Sequence, residues 1–224
     1  MFRWFQPLLD TKEVQITTAG SLHGGRTVWA MCDIINGNEE ILPGDDITQK
    51  LMVVGSHTKA FRTKVVRCVQ RVVCQNTLTF ASDSASQIMG VSHTKNQMDA
   101  MACIRESLDT ITKDFKADTD NIKKLAGYGV TFDGQVKFVK EVLGVKESLK
   151  RKESARVEAV IEAIRNSPGA DMAKGTLWGA LNAITNNTTH NSGKEAENRF
   201  ASVSLGANSR LNQKAYELAL TIAG

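Results

Sequence analysis

The chain has 224 residues, 42% of them hydrophobic, enough to bury a core without disulfide or metal staples; this excludes a disordered or fibrous protein. Formal net charge is +4 and the pI is near 8.9, only mildly basic, because Glu39, Glu40, Asp45 and Asp46, and then the stretch from Asp109 to Asp120, offset the cations. No run approaches the ~20 apolar residues of a membrane span, and Met1-Phe2-Arg3-Trp4 leads into Pro7 and Asp10 without the apolar core of a secretory signal, so a cytoplasmic protein with no membrane partner is expected.

The first third reads as β structure. Val14-Gln15-Ile16-Thr17 alternates, Thr18 to Arg26 is a glycine-rich connector, and Thr27 to Ile34 is a strand closed by Asn36-Gly37-Asn38. After the Pro43-Gly44-Asp45-Asp46 turn, Lys50 to Gly55 and Ala60 to Val69 form a second hairpin. On its later strand, alternation places Arg62, Lys64, Val66 and Cys68 on one face and Phe61, Thr63, Val65, Arg67 and Val69 on the other. From Gln70 the apolar spacing shifts towards 3.6, which predicts a helix at about 70 to 81, with a continued strand as its rival. Gln87 to Val91 is a short strand.

After Lys95 the pattern is helical. Gln97, Met101, Ile104, Leu108, Ile111 and Phe115 form a seam that must pack on another element. Helices are predicted from Asp133 to Leu143, from Lys146 to Arg165, from Thr176 to Thr189 and from Asn208 to Ala223, with a polar stretch at Asn186 to Glu197. Strands first and helices after define an α+β fold, a small antiparallel hairpin sheet followed by a mainly helical part. The expected organisation is one domain, 1–224, with a strand-rich part at 1–95 and a helical part at 96–224.

The most informative local feature is a charge field. Between Lys50 and Ser82 there are six basic residues, Lys50, Lys59, Arg62, Lys64, Arg67 and Arg71, and no acid, a pattern expected to lack an internal counter-ion and to attract a polyanion. Ser56-His57-Thr58-Lys59 recurs as Ser92-His93-Thr94-Lys95, and each such turn offers several donors and one fixed charge to a phosphate oxygen. Together with Arg26, the expected nucleic-acid contacts are therefore His57, Thr58, Lys59, Arg62, Lys64, Arg67, Arg71, His93 and Lys95.

Other chemistry finds less support. None of the four histidines is spaced with a second metal ligand, and Cys32, Cys68, Cys74 and Cys103 show no CxxC pair, so no metal, no cofactor and four reduced packing thiols are expected. Cys74 lacks the local context of a catalytic nucleophile, and Gly20 to Arg26 lacks the Gly-Lys-Ser/Thr ending of a phosphate-binding loop. Asn76, Thr77 and Asn182 sit among apolar residues and are read as braces of neighbouring backbone; Trp29 and Trp178 are read as core.

The ordered set Ala19 to Arg26, Arg71-Val72-Val73-Cys74-Gln75-Asn76-Thr77-Leu78, Ser92-His93-Thr94 and Thr176-Leu177-Trp178-Gly179 to His190 resembles the phage and plasmid family called domain of unknown function 932. The resemblance covers most of the chain, including Asn198-Arg199-Phe200 and Gly206 to Ala219, and implies a bacteriophage or mobile-element origin and hence a host-cytoplasmic location. Members often carry an additional N-terminal region, expected here to be absent or shortened. In outline, a small sheet with a basic strand followed by helices is also similar to phage single-strand annealing proteins of the Redβ, Erf and RecT kind.

The expected function is accordingly that of a non-enzymatic, phage-encoded protein of replication or recombination that binds and anneals single-stranded DNA through a basic groove as a homo-oligomeric ring or filament. The alternatives are a nucleotide- or nucleic-acid-processing enzyme, with His57, His93 and Asn76 around a phosphate, and a phage structural or assembly protein.

Overall fold

A computed structural model describes residues 9–58, 63–79, 87–91, 108–145, 151–193 and 195–224. It is an α+β fold. Among the described residues, six strands, β1 (Val14–Leu22), β2 (Thr27–Leu42), β3 (Asp45–Ser56), β4 (Thr63–Arg71), β5 (Thr77–Thr79) and β6 (Gln87–Val91), precede six α-helices: α1 (Leu108–Gly127), α2 (Phe132–Leu143), α3 (Arg151–Asn166), α4 (Leu177–Asn186), α5 (Ala196–Leu205) and α6 (Ala207–Ala223). The sheet is antiparallel, in the order β1-β2-β3-β4-β5, and β6 pairs with β4.

The residues fall into two compact units. One gathers the described parts of Met1–Glu39, Thr48–Val69 and Phe80–Ala117; the other gathers Glu40–Ile47, Gln70–Thr79 and the described parts of Asp118–Gly224. Strands β2, β3 and β4 and helix α1 each run from one unit into the other.

In the first unit, the β1–β2 hairpin is longer than its composition suggests. Thr18 to Leu22, expected in the connector, pair with Met31 to Thr27, and only His23 to Arg26 form the turn. That turn holds three successive positive φ angles, 55° at His23, 65° at Gly24 and 86° at Gly25, a backbone open to glycine at little cost. Likewise Asn36-Gly37-Asn38 does not end β2. Asn36 takes a left-handed φ of 62° and the strand continues to Leu42, with the Thr48 hydroxyl donating to Asn38 Oδ1 at 2.9 Å.

Four consecutive β3 residues, Leu51, Met52, Val53 and Val54, are fully buried, and Val65, Val66, Cys68 and Val69 of β4 are at most 5% exposed. Because neighbours on a strand point to opposite faces, both faces are covered there. The expected wet basic face on β4 is therefore absent at these positions. On α1, Ile111 and Phe115 of the predicted seam are 1% and 0% exposed, so this part of the seam is already packed within the chain; Gln97, Met101 and Ile104 lie outside the described residues.

In the second unit, α4 is buried along nearly its whole length and packs against α2, α3 and α6. Its N-cap, Thr176, accepts a hydrogen bond from Gly179 N at 3.1 Å, and Thr131 caps α2 in the same way through Gly134 N at 3.2 Å. α4 passes into one π-helical turn, Asn187–Asn191. The stretch Asn186 to Glu197, expected as polar connection, supplies this turn and the start of α5.

The helix predicted at about 70 to 81 does not form. β4 persists to Arg71, Val72 to Cys74 turn, and β5 rejoins the sheet. The apolar spacing misled because Val72 and Val73 are 54% and 38% exposed and are not core anchors, while Gln75 adopts a φ of 53°, which a right-handed helix forbids.

Candidate nucleic-acid interface

Two of the predicted contact segments meet in the first unit. The His57 N–H donates to the Arg26 carbonyl at 2.8 Å, so the β1–β2 turn and the β3–β4 turn lie side by side at one end of the sheet. Arg26, His57 and Thr58 are all exposed there. The Ser56 hydroxyl shapes the second turn, accepting from Thr58 N at 3.3 Å and lying 3.0 Å from Thr58 Oγ1. Lys64 is half-buried near the start of β4, whereas Lys59, Arg62, His93 and Lys95 lie outside the described residues.

The acid-free stretch does have internal counter-ions, contrary to the sequence expectation. Lys50 pairs with Asp33, Arg67 Nη1 lies 3.6 Å from Asp114 Oδ2, and Arg71 Nε donates to Asp45 Oδ1 at 2.5 Å. Sequence separations of 17, 47 and 26 residues hid these acids; pairing across strands and with α1 brings them in.

Arg67 is 9% exposed, with its guanidinium 5.7 Å from the Phe115 ring centroid. Arg71 is 2% exposed and grips both Asp45 oxygens, its Nη2 donating to Oδ2 at 2.8 Å and also to the Gly169 carbonyl at 2.8 Å. Buried, paired guanidinium groups present no surface charge to a polyanion. Arg67 and Arg71 thus leave the set of exposed cations and join the core.

Arg71 opens the run that ends at Leu78, and its side chain and those of Asn76 and Thr77 are buried in the second unit, while Gln75 is exposed. Asp45, fully buried, also accepts from Trp178 Nε1 at 3.0 Å. Asn76 donates to the Asn182 carbonyl at 3.1 Å and accepts from Asn186 Nδ2 at 3.4 Å. On either side of Asn76, His190 Nε2 lies 2.9 Å from the Cys74 carbonyl, Asn212 Nδ2 donates to the Thr77 carbonyl at 3.5 Å, and, just past the run, Thr79 Oγ1 lies 2.7 Å from Ser209 Oγ.

This is a polar latch fastening a turn and a three-residue strand to α4, the π turn and α6. A strand as short as β5 cannot hold itself by ladder bonds alone, and its buried amides need partners. Asn76, imagined beside a phosphate in the enzyme reading, has both ends of its amide engaged in this latch.

Cys32, Cys68 and Cys74 are reduced and buried. Burial pushes the Cys32 and Cys68 thiols up to about 12, with the Asp33 carboxylate adding to the effect at both, and burial raises Cys74 as well. These three are protonated, poorly nucleophilic thiols. Among the described residues no group of three or more His, Cys, Asp or Glu side chains is placed to hold a metal ion, and no helix is long and apolar enough to cross a membrane.

The fold and its latch define an α+β protein in which the Arg71 to Leu78 run is held in place by hydrogen bonds to the helices. The chain belongs to the family described as domain of unknown function DUF932, whose model matches residues 1–215. No curated protein and no solved structure matches it.

Proposed function

We propose that this chain is a phage-type single-stranded DNA-binding protein of replication or recombination, contacting the DNA backbone through the paired turns at one end of its sheet. The observation that carries the reading is the 2.8 Å hydrogen bond that holds the Arg26 turn against the His57-Thr58 turn. It sets a guanidinium, an imidazole and a hydroxyl on exposed backbone, and the sequence adds Lys59, Arg62 and Lys64 directly after them. His93 and Lys95 of the repeated tetrapeptide belong to the same proposed interface.

Such a surface grips phosphates by charge and donor geometry, releasing counter-ions and leaving bases available for pairing, as strand annealing requires. Aromatic residues make up 6% of the chain, which favours a backbone grip over base stacking. Self-association into a ring or filament is part of the same proposal. β1 supports it: outermost among the described strands, this nine-residue strand contains neither a charged residue nor proline, and a register shift between Ile16 and Thr18 is the one guard against edge pairing that it shows. Light scattering should give a mass above that of one chain at tens of micromolar, and a monomer with and without DNA would remove the ring.

The contact surface is tested by the Arg26→Ala, Lys59→Ala double variant. Fluorescence anisotropy with a single-stranded oligonucleotide over a salt series should show weaker binding and a log–log slope flatter by about 1.4, from ~0.7 for each lost phosphate contact. Unchanged affinity and slope in a folded double variant would overturn the reading.

A further inference from the structure

The helical unit contains a partly enclosed cavity of about 380 Å³ that the DNA interface does not use. It lies among the first turns of α2 and α4, the last turn of α3 and the loop from Ala170 to Gly175. Six of its lining residues decide its chemistry: Phe132, Gln135, Ile164, Arg165, Asp171 and Lys174.

We propose that this cavity binds a nucleoside monophosphate. Its size is at the low end for small-molecule sites, room for one nucleotide and not for two. Phe132 is 39% exposed, with the Arg165 guanidinium 4.6 Å from its ring centroid, and Ile164 adds apolar wall. A planar base can stack on the aromatic face or against the guanidinium plane.

Arg165 and Lys174 give the lining two cations against the single carboxylate of Asp171, so an anionic group is favoured at the mouth. The positive ends of the α2 and α4 dipoles act in the same sense, opposed by the C-terminal end of α3.

Gln135 supplies the polar floor. It is 2% exposed, and its Nε2 donates to the Thr176 carbonyl at 2.9 Å, which fixes the amide and leaves the Oε1 acceptor as what this side chain offers the cavity. With the Asp171 carboxylate it provides two acceptors for the amino group of a base or the hydroxyls of a ribose. Planar body, donor edge and terminal anion together describe a nucleotide better than a bare oxyanion or an aromatic acid.

Isothermal titration calorimetry on the full chain tests this with adenosine 5′-monophosphate, adenosine and inorganic phosphate as probes. The monophosphate should bind at submillimolar concentration, with adenosine and phosphate each at least about tenfold weaker, as expected for the loss of a charge-assisted or stacking contact. Lys174→Ala should bring the monophosphate down to the level of adenosine, and Phe132→Ala should weaken both about tenfold; both side chains are exposed, and circular dichroism checks the fold.

No heat from the monophosphate up to millimolar concentration would overturn the proposal. So would phosphate binding as tightly as the nucleotide, or affinities indifferent to both substitutions in folded protein. The Arg26→Ala, Lys59→Ala variant should retain nucleotide binding, so failure here and failure of the DNA reading are separable.

Discussion

Removing the Asp45 carboxylate tests the interior electrostatics most directly. This side chain is fully buried and accepts from Arg71 Nε at 2.5 Å, Arg71 Nη2 at 2.8 Å and Trp178 Nε1 at 3.0 Å. Asp45→Ala leaves a guanidinium that is 2% exposed with only neutral partners, the Gly169 carbonyl and the Cys74 thiol, in place of the carboxylate. Breaking a buried pair in this way costs about 3–5 kcal/mol, a large share of the ~5–15 kcal/mol that holds a domain folded.

Urea unfolding followed by circular dichroism should place the Asp45→Ala midpoint roughly 1.5–2.5 M below that of the parent, for a slope near 2 kcal/mol per molar. Adding Arg71→Met should recover much of the loss, because the uncompensated charge is then gone and the unpaired Trp178 indole costs only about 1–3 kcal/mol. A loss under about 1 kcal/mol for Asp45→Ala, or a double variant no more stable than the single one, would refute the view that this pair is a desolvated core element.

Three further outcomes are expected. Asn76→Ala should lower stability by about 1–3 kcal/mol by stranding Asn182 and Asn186 groups, while leaving single-stranded DNA affinity in anisotropy titrations unchanged, since the residue belongs to the latch. Gly169→Ala should cost about 2 kcal/mol or more in thermal or urea melts: its φ is 74°, and a Cβ would sit 2.6 Å from Val73 Cγ1 and 3.0 Å from Arg71 Nη2.

Cys32 and Cys68 should resist alkylation of the native protein at pH 8, as mapped by mass spectrometry. Their thiols ionise near 12 when folded against an ordinary value of 9.0, so the unfolded chain loses its protons first. Their contribution to stability is complete below pH 9 and falls as pH rises from there towards 12. Denaturation midpoints unchanged between pH 8.5 and 11 would count against this burial.

The α+β order of elements, the pairing of β3 with β4, β6, both ends of α2 and α6 and the last turn of α3 were legible in the sequence, because each rests on local periodicity, caps or turn residues that act over one or two turns of chain; β3 starts at Asp45, five residues before the expected Lys50, and the expected start of α3 at Lys146 lies outside the described residues. The sequence also identified Asn76 and Asn182 as braces, since an amide in an apolar run must find a partner. Which cations pair inside the fold depends on contacts that no local stretch contains. Arg67 and Arg71 lie in the same basic stretch as Lys64, and nothing local distinguishes them; Asp114 and Asp45, distant in sequence, do so by arriving in space. The failed helix at 70–81 has the same origin, because the latch that holds this segment to α4, the π turn and α6 joins residues more than 100 positions apart, and no window of neighbouring residues contains its energy.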